Sequence, residues 1–188
     1  MKHGVMNGFG LAVSALLTLV AGSAAADAVG PYYATPSWDQ TLPASTRFIV
    51  LSNMNSQAVL DRETGLVWQK SPSSAQVNWF QAVLDCEDMA STGGRFGWRL
   101  PSIHELASLV DPAGGIAAGS PFTNVDTANS GLGPLPYWST TTFPGDSTAA
   151  MVRGFPAGGF TSGSNFKVDA FAHEWCVRGG QGVDSNPY

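Results

Sequence analysis

The spacing of hydrophobic residues changes along the chain, and each change marks an element. Residues 9–20 form one apolar run behind Lys2, closed by Ser23-Ala24-Ala25-Ala26. A positive start, a short apolar stretch and small residues at its end make a secretory signal peptide, here residues 1–26. The run is short for a bilayer span and no basic stop-transfer cluster follows it, so membrane contact is expected only through this segment before cleavage. Residues 27–46, punctuated by proline around Tyr32, Tyr33 and Trp38, read as an extended N-terminal arm.

From Arg47 the pattern tightens. Residues 47–51 read as a short strand. Ala58-Val59-Leu60 and Leu66-Val67-Trp68-Gln69 read as a hairpin, because Asp61-Arg62-Glu63-Thr64-Gly65 between them ends in a turn glycine. After Asn78 the period becomes helical, with Trp79, Val83, Cys86 and Ala90 on one face. Asn78 is placed to cap that helix and Gly93-Gly94 to end it. Ser102-Ile103-His104-Glu105 has the form of a capping box opening a second helix, which Asp111-Pro112 stops after Val110.

Residues 111–136 are rich in glycine and proline and keep no period, the signature of a long loop. Strands are expected at residues 137–142, 149–155, 166–170 and 171–177, separated by turns at Pro144-Gly145-Asp146 and Pro156-Ala157-Gly158-Gly159. Strands, two helices, a long irregular loop and an antiparallel meander define an α+β fold. The pattern places one domain at residues 47–180 and a tail at residues 181–188.

Composition then limits the function. Without the signal, eight basic residues face fourteen acidic ones and no basic cluster occurs, which argues against nucleic acid. Charged residues are 12% of the sequence and glycines number 22, a composition that suits a loop-rich exported protein. Cys86 and Cys176 are the only cysteines, and an oxidising compartment favours a bond between them. Such a bond would close about ninety residues, worth roughly 4 to 5 kcal/mol in the chain-entropy model. Free catalytic thiols are the alternative, but neither cysteine stands in a C-x-x-C motif or beside an activating histidine.

Candidate chemistry is sparse. His104-Glu105 lacks a second histidine four residues on, where Ser108 stands, so the capping role is the simpler one. His173-Glu174 adds a second histidine from another element, a weak metal signal. Asp126-Thr127-Ala128-Asn129-Ser130-Gly131 has calcium-friendly oxygens without the twelve-residue loop pattern. Nucleophile-elbow, phosphate-loop and dinucleotide motifs are absent. Neither a metal nor a cofactor is expected, and no catalytic residue is assigned. Trp98 and Arg99 are expected to form a buried stack or ion pair, and Trp68 and Trp138 to belong to the core. Phe143, Phe155 and Phe160 lie at or beside glycine- and proline-rich turns, where aromatic rings are hard to bury. Arg153 and Lys167, on adjacent expected strands, would add a local positive spot. With Asn165 these residues form the candidate ligand-binding set.

Taken in order, Asp61-Arg62-Glu63-Thr64-Gly65-Leu66-Val67-Trp68-Gln69-Lys70, Trp79 with Ala82 and Cys86, Trp98-Arg99-Leu100-Pro101, Glu105-Leu106, Tyr137-Trp138-Ser139-Thr140-Thr141 and Cys176-Val177-Arg178-Gly179 resemble a known family. It is the domain at the C-terminus of the Legionella collagen-like adhesin, and the resemblance covers about residues 57–180. It implies a C-type-lectin-like fold, related to the sulfatase-modifying-factor group, with its two cysteines paired. In the adhesin the domain serves attachment to host glycosaminoglycans. This chain departs from that pattern in being acidic, with scattered basic residues, and in lacking a Gly-X-Y tract. The Glu-Pro-Asn, Gln-Pro-Asp and Trp-Asn-Asp motifs of calcium-dependent lectins of that fold are also absent.

The resulting expectation is a secreted, periplasmic or cell-surface protein without catalytic activity, binding a glycan or a surface protein. A structural subunit that forms homo-oligomers through the arm and exposed phenylalanines is the alternative. A metal-dependent enzyme of the sulfatase-modifying-factor type is the third reading, and it would need reactive cysteines that a Cys86–Cys176 bond removes.

Overall fold

The computed structural model describes Met1, residues 41–128 and residues 134–180. The expected signal segment beyond Met1, the expected arm as far as residue 40, residues 129–133 and the expected tail lie outside the described residues.

Among the described residues, twelve short elements build two antiparallel sheets and the helices that cover them. In chain order they begin with α1 (Ala44–Arg47), β1 (Phe48–Val50), a single 3-10 turn (Ser52–Met54), β2 (Ala58–Asp61) and β3 (Leu66–Gln69). There follow α2 (Trp79–Glu87), β4 (Trp98–Arg99), α3 (Ile103–Ser108), β5 (Tyr137–Phe143), β6 (Asp146–Gly154), β7 (Thr161–Phe166) and β8 (Val177–Arg178). The five-stranded sheet has the order β1-β2-β3-β8-β4, and the three-stranded sheet the order β5-β6-β7. The fold is α+β.

Side-chain alternation explains why the strands of the larger sheet are apolar on both faces. In β2, Ala58 and Leu60 enter one core cluster and Val59 the other. In β3, Val67 packs with the first cluster while Leu66 and Trp68 enter the second. A strand with period 2 that is covered on both sides has no polar face to show. On the first face α2 contributes Trp79, Ala82 and Cys86 beside Trp98 and Cys176. On the second face α3 contributes Leu106, with Leu109 just beyond it, beside Tyr137, Phe155 and Trp175.

Both helix starts follow the sequence. The Asn78 side chain accepts from the Gln81 amide at 2.9 Å. At α3 the Ser102 hydroxyl accepts from the Glu105 amide at 3.2 Å while Glu105 accepts from the Ser102 amide at 2.8 Å, a complete capping box. The ends differ from expectation. α2 stops at Glu87, and Met89 turns inward against the first cluster instead of prolonging the helix. Gly93, expected to end that helix, has φ +64°, and a Cβ there would stand 2.6 Å from Met54 Cβ. Its role is to let the chain pass close to the core.

The arm was expected to be extended to residue 46, yet Ala44–Arg47 make a turn of helix begun at Pro43. That turn delivers Arg47 to Asp61. The guanidinium forms a fork with the carboxylate at 2.8 and 2.7 Å, reaches Glu63 at 2.9 Å and donates to the Ser108 carbonyl at 2.7 Å. Burial opposes the Arg47 charge, but Asp61, with Glu63 and Asp111, outweighs it and raises its pKa above the ordinary arginine value.

The final quarter needs a larger correction. β7 is Thr161–Phe166, a Thr-Ser-Gly-Ser-Asn run with no hydrophobic alternation that is held by its full backbone register on β6. The strand expected at residues 166–170 is instead a turn closed by the Asp169 amide donating to Phe166. Residues 171–177 do not join the meander. Ala172 and His173 make single bridges to Val77 and Tyr137, and only Val177–Arg178 pair as a strand, between β3 and β4.

Cys86 and Cys176 are bonded, with sequence separation 90. Trp175, Cys176 and Val177 are fully buried. The long loop is partly drawn inward as well, since Phe122 stacks edge-on against Phe48 and Trp175 with ring centroids 5.1 Å apart in each case.

Removing Asp61 takes the two-bond fork from a buried guanidinium and leaves it only Glu63 and the Ser108 carbonyl. Asp61→Ala is expected to cost about 3 to 5 kcal/mol in chemical denaturation, and the double replacement Arg47→Met/Asp61→Leu markedly less. A pH effect follows from Glu174, which is buried, with Oε2 lacking a hydrogen bond among the described residues. Burial raises its pKa above the usual glutamate value, against the pull of a Ser73 hydrogen bond, with Asp85 raising it further. The native state therefore favours the protonated acid, and the charged form penalises folding as pH rises through the raised pKa. Melting curves of Glu174→Gln and the unaltered protein should diverge in favour of the variant between pH 4 and pH 7. Parallel curves would contradict this account.

Candidate functional site

The three-stranded sheet contributes Trp138, Ala150 and Val152 to the first core cluster and Tyr137 to the second, and the turn after β7 is tied to it by the Lys167 amide donating to the Thr148 carbonyl at 2.8 Å. There, Phe143 at the end of β5, Asp146 at the start of β6, Ser164 and Phe166 on β7, and Asp169 and Phe171 in the following turn surround a groove of about 360 Å³. Ala149 and Asn165 complete its lining. The register explains the convergence. Phe143 opposes Asp146 across the β5–β6 turn and Ala149 opposes Phe166, so residues far apart in sequence share one end of the sheet. Gly145 takes φ +99° and makes this tight turn feasible.

Phe143, Phe166 and Phe171 are 39%, 54% and 53% exposed, far more than the aromatic residues of the core. Thr148 donates to Asp146 Oδ1 from its hydroxyl at 2.6 Å and its amide at 2.9 Å. The hydroxyl bond first, then the amide bond, holds the Asp146 carboxyl below its usual pKa. The groove thus presents apolar ring faces beside two carboxylates, Asp146 and Asp169, and among the described residues no basic side chain lines it. Rings of this kind stack on the C–H faces of sugars or on apolar side chains, and carboxylate oxygens accept from hydroxyl or amino groups.

Of the six candidate residues, the structure brings only Phe143 and Asn165 to this groove. Phe155 was expected at the surface and is fully buried. It packs against Tyr137 and Trp175, with centroids 5.9 and 5.8 Å away, because the chain turns inward at the end of β6 before Pro156. Lys167 is also interior, at 7% exposure. Its ammonium lies 4.7 Å above the Trp79 ring and donates to Thr142 Oγ1 at 3.1 Å, while its backbone carbonyl accepts from the Trp79 amide at the start of α2. It is a strut between the sheet and that helix.

Arg153 and Phe160 form a pair of their own, with the guanidinium carbon 5.0 Å above the ring. Phe160 is 57% exposed, and burial lowers the Arg153 pKa. The expected positive spot does not form. Lys167 sits beside Thr148, whereas Arg153 pairs with Ser162 five residues further along β6, ~17 Å of strand.

Asp146, Phe166, Asp169 and Phe171 were missing from the expected site. The sequence pattern places Phe166 and Phe171 in strands, where alternation would send rings into the sheet packing, whereas both stand exposed beside the turn. The signal available was the short Phe-Lys-Val-Asp-Ala-Phe run, in which two aromatics flank an aspartate turn.

The other candidate groups are structural. Arg99 forks onto Glu105 at 2.6 and 2.8 Å and donates to the Gly179 carbonyl at 2.9 Å, while Trp98 is buried and donates to the Arg95 carbonyl. His173 Nδ1 lies 2.8 Å from the Ala75 carbonyl and its Nε2 lies 3.5 Å from Asp126. Asp126 also receives the Leu135 amide at 3.1 Å, so it fastens the long loop.

These features describe a disulfide-closed α+β domain with an aromatic, acidic groove at the end of its smaller sheet. Residues 57–178 match the sequence profile of the Lcl C-terminal domain, and the chain belongs to that family. No curated protein and no solved structure matches the chain. Among the described residues, no helix is long and apolar enough to cross a membrane.

If Lys167 is a strut, Lys167→Ala should lower thermal stability, by about 1 to 2 kcal/mol for a partly desolvated cation–π contact. Phe160→Ala should leave the stability within about 0.5 kcal/mol of the original. Differential scanning calorimetry of the two variants checks both expectations.

Proposed function

We propose that the chain is an exported, non-catalytic binding module of C-type-lectin-like architecture, which holds a glycan or a surface protein in the groove at the end of the three-stranded sheet. The convergence of Phe143, Phe166 and Phe171 with Asp146 and Asp169 carries the reading. Half-exposed rings cost solvation in the free protein, and a ligand that covers them recovers it. The carboxylates supply the acceptors that orient hydroxyl or amino groups. Membership of the Lcl C-terminal domain family, the N-terminal signal pattern and the disulfide support a site of action outside the cytoplasm. The short strands, long connections and final strand inserted between β3 and β4 support the lectin-like architecture.

The acidic lining separates this groove from a polyanion receptor. Sulfated polymers would meet two carboxylates and no basic lining residue, so uncharged or amine-bearing ligands fit better. A glycan array probed with the exported protein should select neutral or amino sugars over sulfated ones. Phe171→Ala should weaken the selected ligand by about 1 to 2 kcal/mol without a change in melting temperature. Selection of sulfated polymers, or equal binding by Phe171→Ala, would reject the groove as the site.

A further inference from the structure

Basic side chains are few in this protein, and most are occupied. Arg47 and Arg99 are in ion pairs, Lys167 and Arg153 lie over aromatic rings, and Arg62 reaches the Thr46 carbonyl. Two others, Arg95 and Arg178, stand together. Neither is within ion-pair distance of a carboxylate among the described residues, and both line one cavity of about 360 Å³, far in sequence from the groove above.

The register places this cavity on the α2 side of the larger sheet. Leu60 opposes Val67, Val67 opposes Arg178 and Arg178 opposes Trp98, so these side chains share a face. Leu51, Met54 and Leu60, each at most 6% exposed, form an apolar floor with Val67. Arg178 Nε donates to the Phe96 carbonyl at 2.8 Å, which fixes the plane of its guanidinium. Neither of its terminal nitrogens, nor any nitrogen of the Arg95 side chain, has a hydrogen bond among the described residues. Asn53 adds an amide at the rim, and among the described residues no carboxylate lines the cavity.

We infer that this cavity is a second binding site, for an amphiphilic anion with a carboxylate or sulfate head on a hydrocarbon body. Guanidinium groups recognise such heads through paired N–H donors, and the apolar floor favours a body that would otherwise be hydrated. The volume falls in the range of small-ligand sites. The positive charge of two arginines is not cancelled locally, and in a protein that is acidic overall it concentrates anion attraction at one place. This inference is independent of the groove and its ligand.

The test titrates the full-length protein with octanoate, octylammonium and inorganic sulfate, followed by calorimetry and by amide chemical shifts. Octanoate is expected to saturate, with shifts at Asn53, Gly65 and Gly179. Octylammonium, with the wrong charge, and sulfate, with no hydrocarbon body, should each bind at least about tenfold more weakly, the loss of roughly one charged contact. Arg95→Gln, on an exposed side chain, should weaken octanoate about tenfold at unchanged melting temperature, and Arg178→Lys should do the same if it folds. Failure of octanoate to saturate overturns the inference. So does equal binding of octylammonium or of sulfate, octanoate binding unaffected by Arg95→Gln, or shifts confined to Phe143, Phe166 and Phe171.

Discussion

The chain segment from Ala172 to Arg178 is where the two halves of this protein meet. Val177 and Arg178 are inserted between β3 and β4, so the larger sheet is completed only when the last described quarter of the chain returns to it. Period-2 alternation sends Cys176 into the core under α2 and Trp175 and Val177 into the core under α3. One short stretch therefore seals both faces. The Cys86–Cys176 bond fixes it to α2, and the Trp175 indole donates to the Gln69 carbonyl at 2.7 Å, anchoring it to β3. Contacts closed across ninety residues carry a large loop-closure entropy, and a covalent link removes much of it from the unfolded chain.

That closure also sets where the groove and the cavity lie. Phe171 directly precedes the buried run that begins at Ala172, and its own ring stays 53% exposed. It remains at the edge of the smaller sheet, beside Phe166 and Asp169. At the opposite end of the segment, Arg178 emerges on the α2 face of the larger sheet and is oriented by the Phe96 carbonyl. An acidic, aromatic groove and a basic, apolar-floored cavity thus flank the same buried segment, and their electrostatic character is opposite.

Other polar groups that look chemical in the sequence serve this scaffold. Glu105 caps α3 and pairs with Arg99, whose fork also holds the Gly179 carbonyl, so one carboxylate ties a helix start to the end of the sheet. Asp126 links the long loop to His173 and Leu135. Buried or half-buried groups of this kind are stable because each has partners, and those partners come from elements that local patterns do not connect.

What the sequence determined by itself was local or covalent. The β2–β3 hairpin, the Asn78 cap, the Ser102–Glu105 capping box, the Pro144-Gly145 turn and the family of the domain were legible because each depends on residues close together or on an ordered set of motifs. Tertiary structure decided the rest. β7 has no hydrophobic alternation and exists because β6 offers it a complete ladder of backbone partners. Phe155 and Phe166 have identical side chains near similar turns, yet one is buried and the other exposed, since only the packing of Tyr137 and Trp175 separates them. Lys167 looked like a surface cation until Trp79 and Thr142, from distant elements, enclosed it. Long-range contacts outweigh local preference at these positions because burial against distant side chains contributes more free energy than the propensity of any short segment.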